Sequence, residues 1–171
     1  MAMNHTIVNV EQTGENVGDP MEIKLFEFGE FRFSNEQSDR SDIIMAFDSD
    51  RGHKGFVYKR FDFDSQLFRM SAIGKSSTTG EDFYLYIKGS PEMMLEIFKK
   101  STIPTNYGEV LKQYASQGFR VLAIGSKKVD KNALNSARLE LEKEINFEGF
   151  EVFENRLKPE TKDAIKALVE S

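Results

Sequence analysis

Cysteine is missing from all 171 residues, which excludes disulfides, thiol nucleophiles and thiolate metal sites. Histidine occurs only as His5 and His53, too few for a histidine-built metal centre, so both read as scattered polar side chains. No apolar run approaches the roughly 20 residues that cross a bilayer, and Met1–Val10 lacks a basic-then-apolar signal pattern, so this chain is not expected to enter a membrane. Repeats and low-complexity tracts are absent, and the 4 prolines and 12 glycines are too scattered to mark a linker. A net charge of -5 gives no general attraction to nucleic-acid backbones or anionic lipid, which leaves a local basic pocket as the route to phosphate.

What is present suits one globular domain: 39% of residues are hydrophobic, enough for a core, and a mean hydropathy of -0.47 implies a wet surface. Asp19-Pro20-Met21-Glu22 reads as a helix start, with a side-chain cap, proline in the first turn and an acid three residues on, and the helix should end near Gly29. Residues 35–55 look loop-rich around one apolar island, Ile43–Phe47. The alternation over Phe56–Phe63 predicts a strand. Arg69–Gly74 and Phe83–Lys88 predict two more, paired antiparallel across a small polar loop. Gly89-Ser90-Pro91 should break the last of these and open a helix reaching Lys99-Lys100. Further helices are expected over Tyr107–Gln117 and Asn132–Ile145, with a buried strand over Phe119–Ser126 between them.

Lys88-Gly89-Ser90-Pro91-Glu92 gathers positive potential at a strand-to-helix turn where a phosphate would fit, although such turns need glycine, serine and proline for local reasons as well. Phe63 is either a core aromatic or a platform on which a base stacks. Arg69 and Arg120 suit phosphate or carboxylate, or an edge in solvent. Asp19 and Glu22 suit an exocyclic amine, yet a capping box accounts for both. Gly74-Lys75-Ser76 ends like a phosphate-binding loop, but that motif's first glycine would fall on Arg69. Lys54–Phe61 partly matches an RNA-stacking strand, which makes Phe56, Tyr58 and Phe61 the basis of a rival reading; Val57 and Lys59 depart from the pattern and the acidic balance opposes it. A pure interaction or regulatory module is a third.

Four blocks, in order, resemble the nucleotide-binding domain of P-type ATPases, particularly the fifth subfamily, known for lysosomal cation or polyamine exporters. They are Val17–Lys24, Phe61-Asp62-Phe63 with Arg69-Met70-Ser71, Lys88–Glu92, and Gly118–Ala123. A fifth, Glu154–Thr161, looks like the family's return hinge into the phosphorylation domain. The resemblance implies an α/β (α+β) fold with a mainly antiparallel twisted sheet flanked by helices. It implies a nucleotide-binding domain over residues 1–153, followed by a hinge and first returning helix over residues 154–171. Without its usual packing partner, the helix over Pro159–Val169 is expected to be frayed, disordered or docked on a neighbouring molecule.

By the same resemblance, ATP with its Mg2+ is the ligand. Phe63 would stack on adenine, Lys88 would line the pocket toward ribose and phosphates, and Arg120 would reach the phosphate chain. Glu22, with Asp19 as a fallback, would face the adenine amine. The calcium-pump branch carries a lysine where this chain has Phe68, and an arginine where it has Ser65, so Arg69 is expected to supply a second phosphate contact. The family's phosphorylated D-K-T-G-T string is absent, so no catalytic or metal-ligating residue is expected here. The partners implied are the phosphorylation and actuator domains of a parent polypeptide, with no nucleic acid. The fragment is expected to be monomeric and not itself in the membrane, on the cytoplasmic side of an endosomal or lysosomal membrane protein.

Overall fold

The computed structural model describes residues 3–10, 13–34 and 41–154. Two short strands, β1 (Val8–Val10) and β2 (Glu15–Val17), form a hairpin ahead of helix α1 (Pro20–Phe28). Seven strands then build a single sheet in which spatial order equals chain order and each adjacent pair is antiparallel. They are β3 (Phe31–Phe33), β4 (Met45–Ser49), β5 (Lys54–Asp64), β6 (Arg69–Ser76), β7 (Phe83–Gly89), β8 (Arg120–Val129) and β9 (Asn146–Phe153). The antiparallel sheet flanked by helices is the expected architecture. Between β7 and β9 lie α2 (Pro91–Met94), α3 (Tyr107–Ser116) and α4 (Arg138–Leu141).

Each face of the sheet buries its own cluster, as period-2 side chains require. One joins Ile73, Leu85 and Ile87 to Met94, Phe98, Tyr107 and Leu141. The other joins Val57, Ala72, Met45 and Phe47 to Met3, Ile7 and Phe26, the last from α1. Asp19 caps α1 by accepting from the Met21 and Glu22 N–H groups. Gly118, at φ 80, turns the chain from α3 into β8.

Three expectations are corrected. The helix predicted from Pro91 to Lys100 is α2 alone, ending at Met94, with a separate 3-10 turn at Lys100–Thr102. Phe98 instead bridges Ile145, and the Lys99 N–H donates to the Ile145 carbonyl, which pulls this segment off the helical path. The helix predicted over Asn132–Ile145 is a 3-10 turn, Lys131–Asn135, then the four-residue α4. Asp130 caps Asn132, and Glu144 at φ 53 closes the segment. The apolar island at Ile43–Phe47 contributes the buried strand β4 rather than a loop, and β9 stood outside every expected element. The hinge after Glu154 and the helix beyond Pro159 lie outside the described residues.

Candidate functional site

In an antiparallel meander the C-terminal ends of β5 and β7 and the N-terminal ends of β6 and β8 share one edge. A cleft of about 560 Å³ opens there, with α1 and α3 contributing to its walls. It brings together Phe63, Lys88, Arg120, Glu22 and Asp19, five of the six residues expected to form a site.

Phe63 reaches the cleft through a bulge. Phe61 pairs with Ser71 but Asp64 pairs with Arg69, so β5 carries one more residue than β6 over this stretch. Uninterrupted alternation would set Phe63 on the Arg69 face; the extra residue turns it to the face of Met70 and its cross-strand partner Lys88. The ring is 58% exposed at the cleft wall, so it is not a core aromatic. Phe68 meets it edge-on, with centroids 6.5 Å apart and planes at 82°.

Lys88 is buried against α1. Its Nζ donates to Glu22 Oε1 at 2.9 Å, and the two side chains are 10% and 12% exposed. Glu22 Oε2 accepts from both the Thr6 N–H and the Thr6 hydroxyl, each at 2.8 Å. Burial would push the Glu22 carboxyl up, but the Lys88 ammonium and the Thr6 bonds hold it below its usual range. Glu22 therefore does not complete a capping box with Asp19. Its Oε2 is saturated, and Oε1 keeps one lone pair free for another donor. Arg120, at the exposed start of β8, has no partner for its guanidinium among the described residues.

Arg69 is not in the cleft. Met70 pairs with Lys88, so Arg69, one residue earlier, points through the opposite face of the sheet. There its Nε donates to Glu142 Oε2 at 2.7 Å, while Ser71 and Arg138 donate to Glu142 Oε1. This places Arg69 in a buried ion-paired cluster, away from any phosphate in the cleft.

Nothing in the sequence marks Thr6, or Glu151, which lies on β9 on the same sheet face as Lys88. Glu151 is 4% exposed, and among the described residues neither carboxyl oxygen finds a hydrogen-bond partner. Burial pushes its carboxyl up, against the pull of Lys88. A carboxyl raised in the fold stabilises the protein below its unfolded pKa, and that stability is lost as pH rises through the folded value. Glu151→Gln should accordingly be more stable than the parent at pH 8, by about 1 kcal/mol, with the two converging near pH 4, below the carboxyl's ordinary value of 4.5. Melting curves that differ equally at both pH values would refute this.

Two of the three rings that an RNA-stacking strand would present, Tyr58 and Phe61, are engaged. Tyr58 packs edge-on against Phe83 at 5.0 Å, and Lys59 and Arg138 both lie over the Phe61 ring. Among the described residues no group of three or more His, Cys, Asp or Glu side chains is arranged to hold a metal, and no helix is long and apolar enough to cross a membrane.

Comparison with known proteins agrees with this architecture. A family profile described as "P-type ATPase, cytoplasmic domain N" matches residues 1–160. The vacuolar cation-transporting ATPase YPK9 of Saccharomyces cerevisiae is 32% identical over 96% of this chain. The probable cation-transporting ATPase 13A5 of Homo sapiens is 34% identical over 100% of it, and the cation-transporting ATPase catp-5 of Caenorhabditis elegans 33% over 96%. The chain spans only 13 to 15% of the length of these relatives. It belongs to the P-type ATPase family, as the family's cytoplasmic domain N, with relatives of the 13A cation-transporting type.

Proposed function

We propose that the cleft binds Mg-ATP, with adenine stacked on Phe63, Lys88 directed at ribose and phosphates, and Arg120 on the phosphate chain. The free lone pair of Glu22 Oε1 is the acceptor suited to the adenine amine; Asp19, whose Oδ1 caps α1, keeps Oδ2 for the same role but stands exposed at the cleft rim. The observation that carries this reading is an exposed aromatic ring sharing one cleft with a buried lysine and an unpaired arginine. Arg69 has no part in it, because its charge is already met by Glu142 on the other face. With Lys88 paired to Glu22, Arg120 is the cleft's unpartnered cation among the described residues. Binding therefore leans on stacking and should be weak and only mildly salt-sensitive.

In a longer polypeptide, this chain would hold the nucleotide while its terminal phosphate passes to an aspartate on another domain. The whole protein would be an ATP-driven cation or polyamine transporter of an endosomal, lysosomal or vacuole-like membrane. The Mg2+ enters with the phosphates. Titration of the chain with Mg-ATP, followed by NMR, should move resonances around Phe63, Lys88 and Arg120. Phe63→Ala should weaken binding roughly 5- to 150-fold, the range expected for one base stacked on an aromatic ring. Shifts clustered elsewhere, or an unchanged affinity in Phe63→Ala, would sink the proposal.

A further inference from the structure

Phe68 is a bulky residue held where bulky residues are rarely found. Its φ is 49°, in the left-handed region, and among the described non-glycine residues only Glu30 and Glu144 share a positive φ. The surroundings fix it there. The Phe68 N–H donates to the Asp64 carbonyl at 2.7 Å, and its own carbonyl accepts from the Ser90 N–H at 2.9 Å. Asp64 also accepts from the Gln66 and Leu67 N–H groups, which shapes the turn leading to Phe68. Gly89 makes the close approach feasible, since a Cβ there would stand 2.6 Å from the Phe68 oxygen.

This strain is not offset by burial, because the Phe68 side chain stays 50% exposed and faces the cleft. Glycine or asparagine would take the same backbone conformation at lower cost. Strained residues held by their surroundings cluster where the side chain has work to do. Phe68 also stands perpendicular to Phe63 across 6.5 Å, so the two rings form an aromatic corner rather than a single platform.

We infer that Phe68 is the second wall of the base site and makes it selective for purines. This rests on the nucleotide reading of the cleft. A base lying on one ring of the corner presents its edge to the other. A bicyclic purine is large enough to meet both rings, whereas a pyrimidine is satisfied by one. Edge-to-face contact between aromatic rings is favourable because a positive ring edge meets a negative ring face. Recognition by Phe68 therefore acts on the base and leaves the phosphates untouched.

The test compares adenosine, ATP and uridine binding to the full chain by NMR or calorimetric titration, in the parent, Phe68→Gly and Phe68→Asn. Both variants relieve the left-handed strain, so their melting temperatures should equal or exceed the parent's. Adenosine and ATP should weaken by the same factor, roughly 2- to 12-fold as for one edge-to-face pair, while uridine changes little. If both variants keep the parent's affinity for adenosine while Phe63→Ala loses it, the second wall is refuted and the nucleotide reading stands. A loss confined to ATP would assign Phe68 to the phosphates and also refute the inference. Failure of the parent chain to bind adenosine and ATP at all would overturn the nucleotide reading itself.

Discussion

Replacing Glu142 with alanine should destabilise the chain by about 3–5 kcal/mol, the cost of leaving a buried charge without its counter-charge. Glu142 is 1% exposed and Arg69 5%. The carboxylate takes Arg69 on one oxygen, and Ser71 and Arg138 on the other. Arg138 has alternatives, since it also donates to the Asp62 and Arg69 carbonyls and reaches solvent. Arg69 has no described partner but Glu142 for its charge. A loss of this size is a large share of the roughly 5–15 kcal/mol that holds a typical domain together, so urea denaturation should show it plainly. The double replacement Arg69→Met with Glu142→Leu should recover most of the loss, because apolar groups of similar volume can substitute for a buried pair once both charges are gone. A single Glu142→Ala variant within 1 kcal/mol of the parent would contradict the assignment. The cluster matters to the cleft although it faces away from it. Arg69 follows Phe68 in sequence, and its Cβ would lie 2.5 Å from a Cβ on Gly89, so it packs directly behind the turn that carries Lys88 and Ser90.

The placement of Arg69 also marks how far residue types can be read without structure. An arginine beside an apolar strand suits phosphate as well as carboxylate, and only its register decides between them. Met70 opposite Lys88 sends Arg69 to the other face, and that pairing is not written in either segment alone. Phe63 is the converse case: plain alternation puts it on the wrong face, and the bulge that corrects this has no clear composition signal. Turn chemistry was legible where side chains act locally. Asp19-Pro20 starts α1, and Gly89-Ser90-Pro91 ends β7 and opens α2. The helices predicted from Pro91 to Lys100 and over Asn132–Ile145 were overridden by long-range contacts, while α1 ends at Gly29 as expected. Phe98 and Lys99 are drawn to Ile145, and Arg138 and Glu142 are drawn to Arg69. Periodicity over Asn132–Ile145 satisfied a helical template while the chain made shorter turns, because partners distant in sequence fixed its side chains.

His5 gives the second large effect, and it appears as a dependence of stability on pH. Its ring is 2% exposed and packs edge-on against Phe26 at 5.0 Å and Phe33 at 5.9 Å. Nδ1 accepts from the Ile7 N–H, so the proton of the neutral ring sits on Nε2, which finds no partner among the described residues. Burial lowers the imidazole to about 4; nearby Glu22 opposes this, and Lys88 and Arg60 add to it. A group depressed in the fold contributes stability that is full above its unfolded value, about 6.5, and is lost as pH falls through the folded one. A gap of roughly 2.5 units corresponds to about 3 kcal/mol lost on going from pH 7 to below pH 4. The Glu22 carboxyl, also held low, adds its own loss only below its unfolded range, whereas the raised Glu151 works in the opposite direction as it protonates. Comparison with His5→Gln isolates the histidine from both. Between pH 6.5 and 4.5 the parent's stability should fall toward that of the variant by about 1 kcal/mol per pH unit, measured by denaturation at fixed ionic strength. Parallel curves would mean that the ring ionises inside the fold as freely as outside it. Since the next residue, Thr6, holds Glu22 in place for Lys88, acid that charges His5 should loosen the cleft before the sheet itself gives way.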